Sequence, residues 1–211
     1  MTRKLIGRAL IVLGTATVVG AQSGAPSADE ISRTIATALK VGTSEPLTAA
    51  EKQYGVGVRL VERQGPVIVA LQGPLNRVFN DARGAVARHK SYTAADVSEA
   101  AREPVVAAIA MPNRTYQYWD ARGPVRISEV VFKVTRAGSK EPQVIRAPGG
   151  CQFNPLEFKK PSGQVYKSQL AVCKFPVDVV SSPAARFEVA VIHDQGEWSQ
   201  VLQPEELRMI R

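Results

Sequence analysis

The chain has 211 residues, 45% of them hydrophobic and 22% charged, which is the composition of a globular protein and excludes a fully disordered one. Lysine and arginine outnumber aspartate and glutamate by 27 to 19. Two cysteines and two histidines are too few for a disulfide-dense miniprotein, a multi-zinc module or most His-rich metal sites, and the length suits one domain or two small ones.

Residues 1–21 have the layout of a secretory signal peptide. Three basic residues and no acidic one lie among the first eight, and an apolar run of 11 residues follows from Ala9 to Val19. Val19-Gly20-Ala21 then supplies small or modest side chains at the positions that signal peptidase reads, so we expect the mature chain to begin at Gln22. The apolar run is short for a helix that must cross about 30 Å of hydrocarbon, which favours cleavage over an uncleaved membrane anchor.

Cleavage of this signal implies export, and the charge of the mature chain indicates which classes of partner to expect. The mature chain keeps 24 basic and 19 acidic residues, a net charge of +5 without a long run of like charges. No later segment is long and apolar enough to span a membrane, so we expect a soluble protein that is secreted or periplasmic. A modest charge without a recognition motif disfavours nucleic acid as a partner.

Two helices are predicted at the start of the mature chain. Ser27 and Glu30 have the spacing of a capping box, and apolar residues then recur every four positions as far as Leu39. Gly42 can end this first helix. A second capping-box pattern predicts a short helix from Thr48.

A change of period then predicts a hairpin and another amphipathic helix. Apolar and small or polar residues alternate over residues 54–60, and the apolar run Val67–Leu71 suits the partner strand across the turn Gln64-Gly65-Pro66. Helical spacing returns from Leu75 to Val86, with Pro74 tolerable at the first helical position. This segment is thus mixed α/β.

Two further elements complete the mixed α/β segment, residues 22–111. Thr93–Ala101 is predicted as a short helix that Thr93 caps, with Asp96 in its first turn. Pro104 stops it, and Val105–Met111 has the continuous apolar pattern of a buried strand.

Residues 112–211 are rich in predicted strands separated by turns. The strands cover residues 125–135, 143–146, 164–175, 186–193 and 197–202. A short terminal helix is predicted from Pro204. The expected fold class is α+β: a helical and mixed N-terminal part followed by an antiparallel β-sandwich-like part, either as two domains or as one.

Cys151 and Cys173 are predicted to form a disulfide. The expected compartment is oxidising, no third cysteine competes, and neither residue belongs to a Cys-x-x-Cys or zinc-ligand pattern. The bond would tie a loop after Gly149-Gly150 to a strand that contains Cys173. Two separately buried free thiols are the alternative.

His193, Asp194 and Glu197 form the compact His-plus-carboxylate cluster of the sequence. A general base or a metal site needs such donors to converge. The cluster also falls at a strand end and turn, where polar residues are ordinary, so these three are the catalytic candidates only under the alternative that the chain is an enzyme.

Tyr116, Tyr118 and Trp119 are the densest aromatic group and a candidate binding platform for a sugar ring or a peptide. The two tyrosines would share one face of a strand, and packing alone produces that spacing. We therefore expect packing, with at most one ring exposed.

No motif in the sequence specifies a cofactor, a metal or a reaction. Gly55-Val56-Gly57 lacks the third glycine of a dinucleotide fingerprint, and no phosphate loop, nucleophile elbow, EF-hand or paired-His zinc helix occurs. We therefore expect a non-catalytic binding or envelope-associated module, with an unknown protein or envelope ligand as its partner. The alternative is a secreted hydrolase that uses the histidine cluster.

Overall fold

The structure is a computed structural model, and it describes residues 24–42, 57–61, 65–113, 123–159, 163–181 and 184–210. The predicted signal peptide, the helix predicted from Thr48 and the aromatic group Tyr116, Tyr118 and Trp119 lie outside these residues. No helix in the described ranges is long and apolar enough to cross a membrane.

The described residues form five α-helices and nine β-strands. The helices are α1 (Ala28–Val41), α2 (Pro74–Ala87), α3 (Glu99–Arg102), α4 (Asp178–Ser181) and α5 (Pro204–Met209). The strands are β1 (Val58–Val61), β2 (Val67–Gln72), β3 (Val105–Pro112), β4 (Ile127–Thr135), β5 (Gln143–Arg146), β6 (Cys151–Lys159), β7 (Val165–Pro176), β8 (Arg186–His193) and β9 (Gly196–Leu202).

Helix α1 begins and ends at the predicted residues. The Ser27 hydroxyl accepts the amide of Glu30 at 3.3 Å, and the Glu30 carboxylate accepts the amide of Ser27 at 2.8 Å, which is the predicted capping box. Gly42 ends the helix at φ 60° and donates its amide to the carbonyl of Ala38.

The strands form two antiparallel sheets. The five-stranded sheet has the order β1-β2-β3-β7-β6, and the four-stranded sheet has the order β5-β4-β8-β9. The α+β class with antiparallel sheets is thus confirmed. Because β3 pairs with β7, strands from residues 22–111 and from residues 112–211 share the five-stranded sheet.

The two sheets pack face to face around one continuous core. Alternate residues of the paired strands face inwards, which removes their side chains from water and stabilises each by about 1.5–3 kcal/mol. The largest fully buried core side chains include Leu60, Val67, Val69, Leu71, Val106, Ile127, Val130, Phe132 and Phe175.

A helical layer lies outside this sandwich. Helices α1, α2 and α3 pack around small clusters of their own, one that includes Ile31, Val78 and Ala101 and another that includes Ala38 and Phe79. This layer lies over the outer face of the five-stranded sheet. This arrangement leaves a cleft between the helices and the sheet.

The region predicted as one helix, Thr93–Ala101, is split. Residues 94–96 form a single 3-10 turn, Val97 is extended and buried, and α3 starts after Ser98. Ser98 caps it by accepting the amide of Ala101 at 3.2 Å. Burial of the Val97 side chain at an extended position is the physical reason for the break.

Cys151 lies in a strand, not in the loop that the sequence suggested. It begins β6, an edge strand whose side chains are mostly exposed and which contains Pro155, so β6 lacks an apolar pattern. Cys151 lies directly opposite Cys173 of β7 with a Cα–Cα distance of 4.3 Å, and the two form a disulfide. The bond joins neighbouring strands of one sheet.

Candidate functional site

His193 is held at the inner face of the four-stranded sheet, at the end of β8. Its side chain lies on the same face of β8 as the buried residues Val189 and Val191 and is only 9% exposed. Its Nδ1 accepts the amide of Gln195 at 3.2 Å, and its Nε2 has no hydrogen-bond partner among the described residues. Burial lowers the pKa of His193, and the nearby Asp194 opposes this shift, so the ring is neutral at pH 7.

The two carboxylates of the cluster are used elsewhere. Asp194 accepts the backbone amide of Arg126 at 2.9 Å, which joins the β8–β9 turn to the chain before β4. Glu197 forms an ion pair with Lys133 at 2.5 Å.

The hairpin register separates His193 from Glu197. Glu197 lies opposite Ile192, and Gly196 lies opposite His193. Residues that lie opposite each other share a face, so Glu197 and His193 lie on opposite faces of the sheet. The structure therefore does not bring the three residues together, and no group of three His, Cys, Asp or Glu residues within the described part of the chain could hold a metal ion.

The structure places both ends of the segment that contains Tyr116, Tyr118 and Trp119, although that segment lies outside the described residues. Before it, buried Asn113 donates its side-chain amide to the carbonyl of Gly65 at 3.0 Å. After it, the carbonyl of Gly123 accepts the side-chain amide of Gln195 at 3.4 Å. The aromatic binding platform remains a prediction.

A cleft of about 540 Å³ lies between α2, α3 and the outer face of the five-stranded sheet. Its floor consists of Ala107 and Ile109 of β3 and Val172 of β7. These residues lie side by side because Ile109 pairs with Val172. All three side chains are apolar, so the cleft is apolar at its base.

The two cations that line the cleft are bound by the protein itself. The Arg77 guanidinium donates to the carbonyls of Val105 at 2.8 Å, Glu103 at 2.6 Å and Gln72 at 3.3 Å. It thereby connects α2 to the end of β2 and the start of β3. Lys174 donates its Nζ to the Glu103 carboxylate at 2.5 Å.

Asp81 is the acidic residue of the cleft, and its carboxylate accepts no hydrogen bond from the described residues. Although its side chain is exposed, partial burial of the carboxyl group raises its pKa, and the more distant Arg77 and Arg88 partly oppose this. Asp81 therefore presents an acceptor with unused capacity next to an apolar floor.

Sequence reasoning missed this cleft. The apolar run of β3 correctly indicated that both faces of that strand are covered, because it contains no polar alternation. Nothing in the run shows that the covering helices leave space over Ala107. The pairing of β3 with the much later β7, which brings Lys174 to the cleft, has no local signal.

Comparison with known proteins supplies no function for this geometry: the sequence matches no family model, and no curated protein or solved structure is significantly similar to it.

Proposed function

We propose that this chain is an exported binding protein that holds a small amphipathic ligand in the cleft over the five-stranded sheet. The observation that carries the proposal is the cleft itself: about 540 Å³ with an apolar floor of Ala107, Ile109 and Val172. Pockets of this size with an apolar base and a few hydrogen-bonding groups at the rim are the usual form of small-molecule sites.

Export to an oxidising compartment is the second part of the proposal. It rests on the basic and apolar layout of residues 1–21 and on the Cys151–Cys173 disulfide, a bond that is rare in reducing compartments. Intact-mass measurement of the protein from the exported fraction of its native host tests it. A chain that begins at Gln22 is expected, and an exported chain that retains residues 1–21 would contradict it.

We favour the cleft over a hydrolytic site at the histidine cluster, because the residues of that cluster do not converge on one point. Hydrolysis at that cluster requires His193 and a carboxylate to converge on one reacting atom. Glu197 lies on the other face of the sheet, and Asp194 is hydrogen-bonded to the chain before β4. The cleft, in contrast, gathers its polar groups around one space.

Amide chemical-shift mapping with a library of small amphipathic fragments tests the binding site. Fragments that bind should shift the amides of Ala107, Ile109 and Val172 in isotope-labelled residues 22–211. Ala100→Trp adds an indole at the rim and should abolish these shifts. Ala95→Trp, at an exposed position outside the cleft, is the matched control. Binding that is unaffected by Ala100→Trp, or a library without any fragment that shifts these amides, would refute the site.

A further inference from the structure

We propose, on the basis of the proposed binding site, that the ligand of the cleft is a small organic cation: an ammonium group attached to an apolar chain. The Asp81 carboxylate binds the ammonium group, and the floor formed by Ala107, Ile109 and Val172 takes the apolar chain.

The hydrogen bonds already made in the cleft disfavour an anionic ligand. The Nη atoms of Arg77 donate to three backbone carbonyls, its Nε is enclosed by the protein without a partner among the described residues, and Lys174 is paired with Glu103. An anion that drew the Nη atoms of Arg77 away would leave part-buried carbonyls without these donors, and one that recruited Lys174 would release the Glu103 carboxylate. Either displacement breaks a hydrogen bond that the protein already makes.

A cationic ligand needs no such exchange. Asp81 accepts no hydrogen bond and forms no ion pair within 4 Å among the described residues. Its side chain lines the cleft, so an ammonium donor bound there adds a charge-assisted hydrogen bond where the described residues supply none. The charges of Arg77 and Arg88 act on Asp81 from a greater distance and do not occupy its acceptor positions.

The apolar floor of the cleft indicates that the ligand also carries an apolar chain. Ile109 and Val172 lie side by side on adjacent strands and, with Ala107, form a continuous apolar surface beneath the rim that carries Asp81. A bare ammonium ion would leave this surface in contact with water. An alkyl chain that covers it gains the free energy of apolar burial.

Three probes of equal chain length separate charge from apolar burial: n-hexylammonium, 1-hexanol and n-hexanoate, each titrated into residues 22–211. Hexylammonium should shift the amides of Ala107, Ile109 and Val172 and bind about five- to tenfold more tightly than hexanol. Hexanoate should bind more weakly than hexanol. Asp81→Asn should remove the preference for the amine, and Asp81→Glu should retain it.

Glu141→Gln is the matched control, because Glu141 is an exposed carboxylate in the β4–β5 connection and lies outside the cleft. The preference should survive this change. If hexanol and hexylammonium bind in the cleft equally well, the cation assignment fails and the proposed binding function stands. If the amine preference survives Asp81→Asn, or if hexylammonium leaves the cleft amides unshifted, the assignment also fails, and the fragment mapping decides separately whether the cleft binds ligands.

Discussion

The ring of Phe132 in the four-stranded sheet lies with its centroid 4.2 Å from that of Phe175 in the five-stranded sheet, and the two planes are inclined by 39°. Both side chains are fully buried. On its own sheet, Phe132 also contacts Phe187, with centroids 5.0 Å apart. This aromatic contact joins the two sheets at the centre of the core.

Truncation at this contact should be costly. Phe132→Ala is expected to lower the free energy of unfolding by about 3–5 kcal/mol, because it removes buried surface and leaves a cavity between the sheets. Phe153→Ala, at a side chain that is 40% exposed on the edge strand β6, should cost less than about 1 kcal/mol. Urea unfolding of the two variants checks this, and equal losses would show that the aromatic contact is not central to stability.

Removal of the disulfide should destabilise the fold without affecting the cleft. The chain-entropy model gives about 3 kcal/mol for a bond that spans 22 residues, and Cys151→Ala combined with Cys173→Ala should lose about that amount in calorimetry. The reduced wild-type chain is the control, and its free energy of unfolding should equal that of the double variant. Cleft-fragment binding should persist, because Cys173 faces the core between the sheets, whereas its neighbours Val172 and Lys174 face the cleft on the outer side of the sheet. Loss of binding in a folded double variant would contradict this separation.

Burial of His193 should make stability depend on pH. The unfolded chain takes up a proton near pH 6.5, but the folded pKa is lower, so the neutral ring contributes stability above pH 6.5 that is lost as the pH falls through the folded pKa. His193→Asn keeps an acceptor for the Gln195 amide and should flatten the unfolding free energy between pH 7.5 and about pH 5 relative to the wild type.

His89→Asn is the control for this titration, because His89 is exposed and has a positive φ of 54° that asparagine tolerates. It should retain the wild-type pH dependence. A His193→Asn variant that loses stability with falling pH as steeply as the wild type would refute a role for His193.

Gly57 and Gly138 should differ sharply in their tolerance of a methyl group. Both have a positive φ, at 74° and 82°, so alanine strains the backbone at each by roughly 1 kcal/mol. At Gly57 the added Cβ would also collide with the carbonyl oxygen of Leu71, whereas Gly138 faces open space. Gly57→Ala should therefore cost at least about 2 kcal/mol more than Gly138→Ala in denaturant unfolding. Similar losses would mean that β1 shifts freely.

The elements that could be predicted from the sequence are those with local causes. Ser27 and Glu30 bond each other within one turn, and Pro74 starts α2 through its own fixed dihedral angle. The turn Asp194-Gln195-Gly196 defines the β8–β9 hairpin within a few residues. Such signals require no knowledge of the rest of the fold.

The elements that could not be predicted depend on distant partners. The polar residues of β6 form a strand because β7 supplies its hydrogen bonds, so a hydrophobic pattern is unnecessary there. His193 and Glu197 are close in sequence, but the two-residue turn sets a register that places them on opposite faces. Lys174 lies in the same cleft as Asp81 only because β7 pairs with β3.

The Cys151–Cys173 bond also determines what a protease can separate. It lies at the base of the β6–β7 hairpin, where β7 continues into its pairing with β3. A cut after Lys159 would break the backbone between these cysteines but leave both products covalently joined. In denaturing electrophoresis, the nicked protein would thus migrate as one molecule until a reductant separates its two pieces.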